Sequence, residues 1–247
     1  MIYLCQKREE VLSAINNIRS NTYILHHIRL YLDSYGAKYD FVQFFLQKDS
    51  ENDLTTAVIL RYNNQVFSAV SKFSDLPELA SFLQGFSDCT ITADNVLSEY
   101  FNNFQTGYIM CRFGAASSVN TNSLILLNNA REIADLVADN LTASNKEDFF
   151  LNTSHQIRHN TINVYGVYAK NKLVSVASAS VQTNNISVIT FVYTHEHFRG
   201  NGYSNRILSH ICSEADIKYM LICEKHNVEF YHKCGFSQDD TCIIINL

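Results

Sequence analysis

The 247-residue sequence has no tryptophan and a single proline. It also lacks a CxxC pair, a long apolar run and an excess of basic residues, and each absence excludes something. Cys5, Cys89, Cys111, Cys212, Cys223, Cys234 and Cys242 follow no repeated metal-type spacing, and an odd, scattered set points to reduced thiols rather than a disulfide framework. No stretch approaches the roughly 20 apolar residues that span a bilayer. Lys7-Arg8-Glu9-Glu10 also breaks the N-terminus before an apolar segment long enough for a signal peptide. The expectation is a cytoplasmic chain with no membrane partner. With 19 basic against 24 acidic residues, the net charge of −5 argues against a nucleic-acid partner, because counterion release from phosphates needs a basic surface. What is present is 47% hydrophobic and only 17% charged residues, the composition of a folded globular protein. The length predicts one large domain or two modest ones.

Along the chain, Ser20-Asn21-Thr22 offers helix-capping side chains. Ile24, Ile28, Tyr31, Leu32 and Tyr35 then recur at helical spacing up to Gly36, a suitable stop, and the first segment reads as helices. Strands are predicted at Tyr39–Gln47, Leu54–Tyr62 and Val66–Val70, with Asn63-Asn64 as a hairpin turn, then a helix opened by Pro77 and a short strand at Thr90–Ala93. A second cycle follows Gly107. Apolar runs Tyr108–Phe113 and Leu124–Leu127 flank a small, polar stretch, Gly114–Asn122, which reads as a linker. Ile133, Leu136, Val137 and Leu141 form a helical stripe, and Ser144-x-x-Glu147 reads as a capping box for a second helix. A three-stranded meander is predicted at Asn163–Ala169, Lys172–Val181 and Ile186–Thr194. A helix from Ser204, a strand Ile217–Cys223, a short helix Val228–Cys234 closed by Gly235, and a strand Thr241–Leu247 complete the chain.

The second half is thus ααβββαβαβ, loosely echoed by the first with no residue-level repeat. The fold class is α/β (α+β), a mixed, mostly antiparallel sheet flanked by helices. The expected division is a divergent N-terminal domain over 1–115 and a second domain over 116–247.

The segment Tyr193-Thr194-His195-Glu196-His197-Phe198-Arg199-Gly200-Asn201-Gly202-Tyr203-Ser204 runs from a strand through a two-glycine turn into a helix. Such a turn presents backbone N–H groups at the positive end of a helix dipole, where an anion can approach closely. Alone, it fits an ordinary strand-to-helix turn equally well. In context it resembles the pyrophosphate loop of the GCN5-related N-acetyltransferase (GNAT) superfamily, Gln/Arg-x-x-Gly-x-Gly/Ala after the fourth strand. Arg199, Gly202 and Ser204 stand at the three key positions, serine replacing the usual Gly or Ala. A second signature, an aromatic-Tyr helix ending in Gly-Phe, is similar to Phe230-Tyr231-His232-Lys233-Cys234-Gly235-Phe236. Together they cover about residues 120–247 and look most like the branch with a divergent domain ahead of the catalytic one.

The resemblance implies two GNAT-like domains in tandem, acetyl-CoA as acyl donor, and a small-molecule or peptide amine as acceptor. Val192, Tyr193 and Thr194 would offer backbone groups to pantetheine. Gly200, Asn201, Gly202, Tyr203, Ser204 and Asn205 would offer N–H groups to the pyrophosphate, with Arg199 as a local cation. Tyr231 matches the tyrosine that protonates the departing thiolate, a role open to a phenol protonated at neutral pH.

The acceptor also needs a base, since less than roughly 0.1% of an alkylamine is neutral at pH 7. Asn184–Thr194 holds no carboxylate. Glu224 is the nearest candidate, equally readable as a solvated strand-end charge, and Glu196 reads as a turn residue. Asn227 either caps the last helix or touches the cofactor. His195-x-His197 with His210, His226 and His232 lacks recognised metal spacing, so no metal is expected. Cys223 and Cys234 read as packing residues rather than reactive thiols.

Overall fold

A computed structural model describes residues 1–49, 53–115, 124–138 and 143–247. The chain forms two compact units. Unit 1 comprises 1–110, 222–229 and 238–247, and unit 2 comprises 111–221 and 230–237. The contiguous division at 115/116 differs from this one in that unit 1 takes in two later segments.

Unit 1 contains β1 (Ile2–Cys5), α1 (Arg8–Asn17), α2 (Thr22–Tyr35), β2 (Val42–Lys48), β3 (Thr55–Tyr62), β4 (Gln65–Val70), α3 (Leu76–Gln84), β5 (Thr90–Asp94), a 3₁₀ turn at Asn95–Tyr100 and β6 (Gln105–Phe113), which ends in unit 2. Asn21 caps α2 by accepting from Ile24 N at 3.2 Å, and Gly36 closes it at φ +72°. Asn63 turns the β3–β4 hairpin at φ +50°, with Tyr62 opposite Gln65. Pro77 sits in the first turn of α3, capped by Asp75.

β1 stands where helix was expected. Four residues are too few for a period-2 signal, and the strand forms by antiparallel pairing with β2, from Ile2↔Gln47 to Cys5↔Phe44. β2, β3 and β4 continue antiparallel, whereas β4 and β5 run parallel from Gln65↔Thr90 to Ser68↔Ala93. The chain's last strand, β12 (Ser237–Asn246), pairs antiparallel with β5, from Cys242↔Asp94 to Asn246↔Thr90. Ile59, Leu79, Leu83, Ile91, Leu97, Ile243 and Ile245 pack together in the core beneath α3.

Unit 2 contains β7 (Leu124–Leu126), α4 (Ala130–Val137), α5 (Ala143–Arg158), β8 (Ile162–Ala169), β9 (Lys172–Ser180), β10 (Ile186–Thr194), a 3₁₀ turn at Glu196–Phe198, α6 (Tyr203–Ile211), most of β11 (Lys218–Cys223) and the end of α7 (Val228–Lys233). Its strands lie in the order β11-β10-β9-β8-β7, antiparallel except for β10 with β11. Lys170 and Asn171, at φ +51° and +60°, turn the β8–β9 hairpin. Ser144 falls inside α5 rather than ahead of it. Leu141 and residues 116–122 of the expected linker lie outside the described residues.

The order β-α-α-β-β-β-α-β-β thus occurs twice, with a 3₁₀ turn before the last strand in the first pass and helix α7 there in the second, and the first copy is a full α/β fold. No helix among the described residues is long and apolar enough to cross a membrane.

Candidate active site

β10 has two different edges. On one, it pairs with β9 through a bulge at Thr190 and onward to Val192↔Ala177, Tyr193↔Val176 and Thr194↔Ser175. On the other, parallel pairing with β11 covers only Ile186↔Lys218, Ser187↔Tyr219 and Val188↔Met220. Beyond Val188 this parallel pairing ends, while the pairing with β9 runs on to Thr194↔Ser175. The sequence signals that β10 exists, but neither the bulge nor the early end of its pairing with β11, because both depend on what its neighbours do.

At the end of β10 the chain builds the two-glycine loop. His195 Nδ1 accepts from His197 N at 3.3 Å to start the 3₁₀ turn. Asn201 Nδ2 donates to Phe198 O at 3.0 Å and Arg199 O at 3.3 Å, so its side chain holds the loop together. Gly200 and Gly202 lie at φ +81° and +73°, a region costly for residues with a Cβ, and a Cβ on either would meet nothing within 4 Å. Gly202 is the N-cap of α6 and provides no side-chain acceptor. The first-turn N–H groups of that helix therefore lack a capping side chain and stand behind an open approach. This arrangement fits a pyrophosphate.

Arg199 is exposed and donates from Nε to Thr194 O at 3.2 Å. Tyr203 lies under Arg206, with 5.5 Å from guanidinium carbon to ring centroid. Asn205 is exposed. The Ser204 and Thr194 hydroxyls lie 2.5 Å apart. Glu196 is exposed, 3.6 Å from His197 Nε2, in the turn where the sequence assigns it a local role.

Tyr231, in the same unit, sits at the end of α7. Phe236 N donates to Tyr231 O at 3.0 Å and Gly235 N to His232 O at 2.9 Å, with Gly235 at φ +83°. This is a Schellman closure, and its customary apolar contact is the edge-on packing of Phe236 against the Tyr231 ring, centroids 5.8 Å apart. The Gly-Phe signature is thus the device that ends the tyrosine's helix and braces its ring. Arg112, from the last residues of β6, donates to Cys234 O at 2.8 Å and packs its guanidinium 3.6 Å from the Gly235 Cβ position. No local motif singles out Arg112, since topology alone brings it there.

Glu224 and Asn227 belong to unit 1. Glu224 is largely exposed and pairs with His226 Nδ1 at 3.3 Å. Asn227 N donates to Glu224 O at 2.9 Å in the 3₁₀ turn before α7. Burial pushes the thiols of Cys223 and Cys234 up to about 11, so both remain protonated and unreactive at neutral pH. Among the described residues, no group of three His, Cys, Asp or Glu is placed to hold a metal ion.

Residues 160–238 match the family model described as the acetyltransferase (GNAT) domain. The span starts ahead of β8 and ends just after Gly235-Phe236, so it contains the two-glycine loop and Tyr231. The fold is that of tandem GNAT proteins. A Drosophila protein superposes over 100% of this chain and 98% of its own at 12% identity and a TM-score of 0.67. A tandem GNAT protein from the clavulanic acid biosynthesis pathway does so over 99% and 97% at 10% and 0.59. A GNAT-family acetyltransferase from Colwellia psychrerythraea covers 99% and 98% at 11% and 0.57. At these identities the likeness is one of fold. No curated protein matches the sequence.

Proposed function

We propose that this chain is an acetyl-CoA-dependent N-acetyltransferase that transfers the acetyl group to a primary amine by direct attack, the acceptor being a small molecule or a peptide. The observation that carries this reading is the uncapped, glycine-opened N-terminus of α6 at the end of β10, where a Cβ on Gly200 or Gly202 would meet nothing within 4 Å. It offers N–H groups to a diphosphate.

Acetyl-CoA supplies the activated acyl thioester. Val192–Thr194 hold its pantetheine arm through the backbone, Gly200–Asn205 hold the pyrophosphate, and Arg199 adds positive charge. Tyr231 donates a proton to the leaving sulfur. Water or Glu224 relays the amine's proton.

Tyr231→Phe leaves the ring packing and removes the donor. Turnover is expected to fall by about 100-fold or more, with acetyl-CoA affinity within a few-fold of wild type. An equal loss of both assigns Tyr231 to packing. The second reading, a non-catalytic acyl-CoA-binding regulatory module, draws on the absence of a carboxylate in Asn184–Thr194 and the exposure of Glu224. Both readings require cofactor binding, but only the enzyme releases CoA in response to an added amine. A panel of amines scored by thiol release separates them.

A further inference from the structure

Three hydroxyls join the phosphate loop to the sheet. Ser175 on β9 is fully buried, and its Oγ donates to Tyr193 O at 3.1 Å. The same oxygen lies 2.7 Å from Thr194 Oγ1, which in turn lies 2.5 Å from Ser204 Oγ in the first turn of α6. A carbonyl can only accept, so the Ser175 proton is committed to Tyr193. Thr194 must then donate to Ser175, and Ser204 to Thr194. The chain has one direction, Ser204 to Thr194 to Ser175 to the β10 backbone. The Thr194 carbonyl also accepts from Arg199 Nε at 3.2 Å. One residue at the end of β10 is therefore tied to both ends of the loop and to the neighbouring strand.

We infer that Thr194 is a positioning residue for acyl-CoA binding, and that Ser204 completes a latch with it. The latch holds the first turn of α6 against the end of β10, so that the N–H groups of Gly200–Asn205 are already arranged when the pyrophosphate arrives. The inference rests on the acyl-CoA reading above and adds to it a role for the serine that replaces the small Gly or Ala of the family pattern. With its proton directed at Thr194, the Ser204 hydroxyl acts on the loop, and the diphosphate is left to the amides. A preformed cradle avoids the ordering cost that a loose loop incurs on binding.

The test is titration calorimetry of acetyl-CoA into the full chain and its variants, with a thermal melt of each. Thr194→Val keeps the shape and removes the hydroxyl, and is expected to weaken binding about tenfold, equivalent to about 1.4 kcal/mol. Thr194→Ser restores the hydroxyl and should bind within about twofold of wild type. Ser204→Ala installs a residue the family pattern favours, yet is expected to bind several-fold more weakly. Affinity equal to or better than wild type in Ser204→Ala overturns the latch, as does a failure of Thr194→Ser to recover what Thr194→Val loses. If Thr194→Val does not fold, Ser204→Ala decides alone. An absence of binding by wild type contradicts the acyl-CoA reading itself, which is a different result from wild-type binding that none of the variants disturbs.

Discussion

His27, on α2, has only 8% of its surface exposed and packs its ring against Phe67, 4.1 Å between centroids, with Tyr31 and Tyr23 at 5.5 and 5.7 Å. Among the described residues its Nδ1 has no hydrogen-bond partner. Burial pushes the imidazole down to about 4, and burial with Arg29 nearby does the same to His26. The unfolded chain, with an ordinary value near 6.5, takes up the proton first. The neutral ring's contribution to stability is thus complete above about 6.5 and is lost as the pH falls toward 4, about 2 kcal/mol having gone at pH 5 for His27 alone. Melting temperatures at pH 7 and pH 5 check this: His27→Phe is expected to lessen the acid-induced drop, and an unchanged drop would contradict it. Nothing local in the sequence marks this residue, since its effect comes from what β4 places over it. Thr194, Ser204, Gly202 and Tyr231 were singled out as candidates because they lie in contiguous motifs. Ser175 and Arg112 were not, being separated from their partners by 19 and 122 positions.

Among the elements, α7 is the most demanding of its sequence. It spans only Val228–Lys233, too short to be stable alone, and depends on the Gly235-Phe236 closure and on Arg112 at its C-terminal carbonyls. Gly235→Ala forces a Cβ into φ +83° and is expected to cost about 1–2 kcal/mol, with turnover falling more than acetyl-CoA affinity because the Tyr231 ring loses its brace. Thermal melts and Michaelis analysis test both parts, and an unchanged melting temperature would show that the turn is not held as described. Elements with local signals were readable in advance. Ile186–Thr194 is the predicted strand itself, and Asn63, Lys170, Asn171 and Gly36 turn the chain at positive φ where the sequence places turns. Strand β12 was read four residues late because Ser237–Asp240 are polar and exposed, so no alternation announces them. Its pairing with β5 was invisible for another reason: Ile243 and Ile245 specify one buried face, with Cys242 buried on the other, but not which sheet receives them.

At the scale of the whole molecule, the same order of elements serves two ends. In unit 2 the pairing of β10 with β11 ends at Val188↔Met220 and α6 opens without a capping side chain. In unit 1 the corresponding place is filled by the protein. Asp94, at the end of β5, is buried, and its carboxylate accepts Val70 N at 2.8 Å and the Ser20 hydroxyl, stitching β4 to β5 just beyond their ladder. Burial raises the Asp94 carboxyl above the usual range. The helix that follows, α3, begins with Asp75 accepting Glu78 N at 3.0 Å, and Gln47 Nε2 donates to both Asp75 O and Glu78 Oε2 at 2.9 Å. A capped, acidic N-terminus without the glycine pair disfavours a diphosphate, in contrast to the role proposed for α6. The chain should therefore bind a single acyl-CoA.

Calorimetric titration of acetyl-CoA into the full chain, beside Gly202→Glu, tests the central claim most directly. The expected result is saturable binding at one equivalent per chain, abolished by a side chain that adds bulk and negative charge at φ +73°. A folded wild-type chain that binds nothing, or a variant that binds as well as wild type, would contradict the assignment of the site, and saturation at two equivalents would contradict the closure of unit 1.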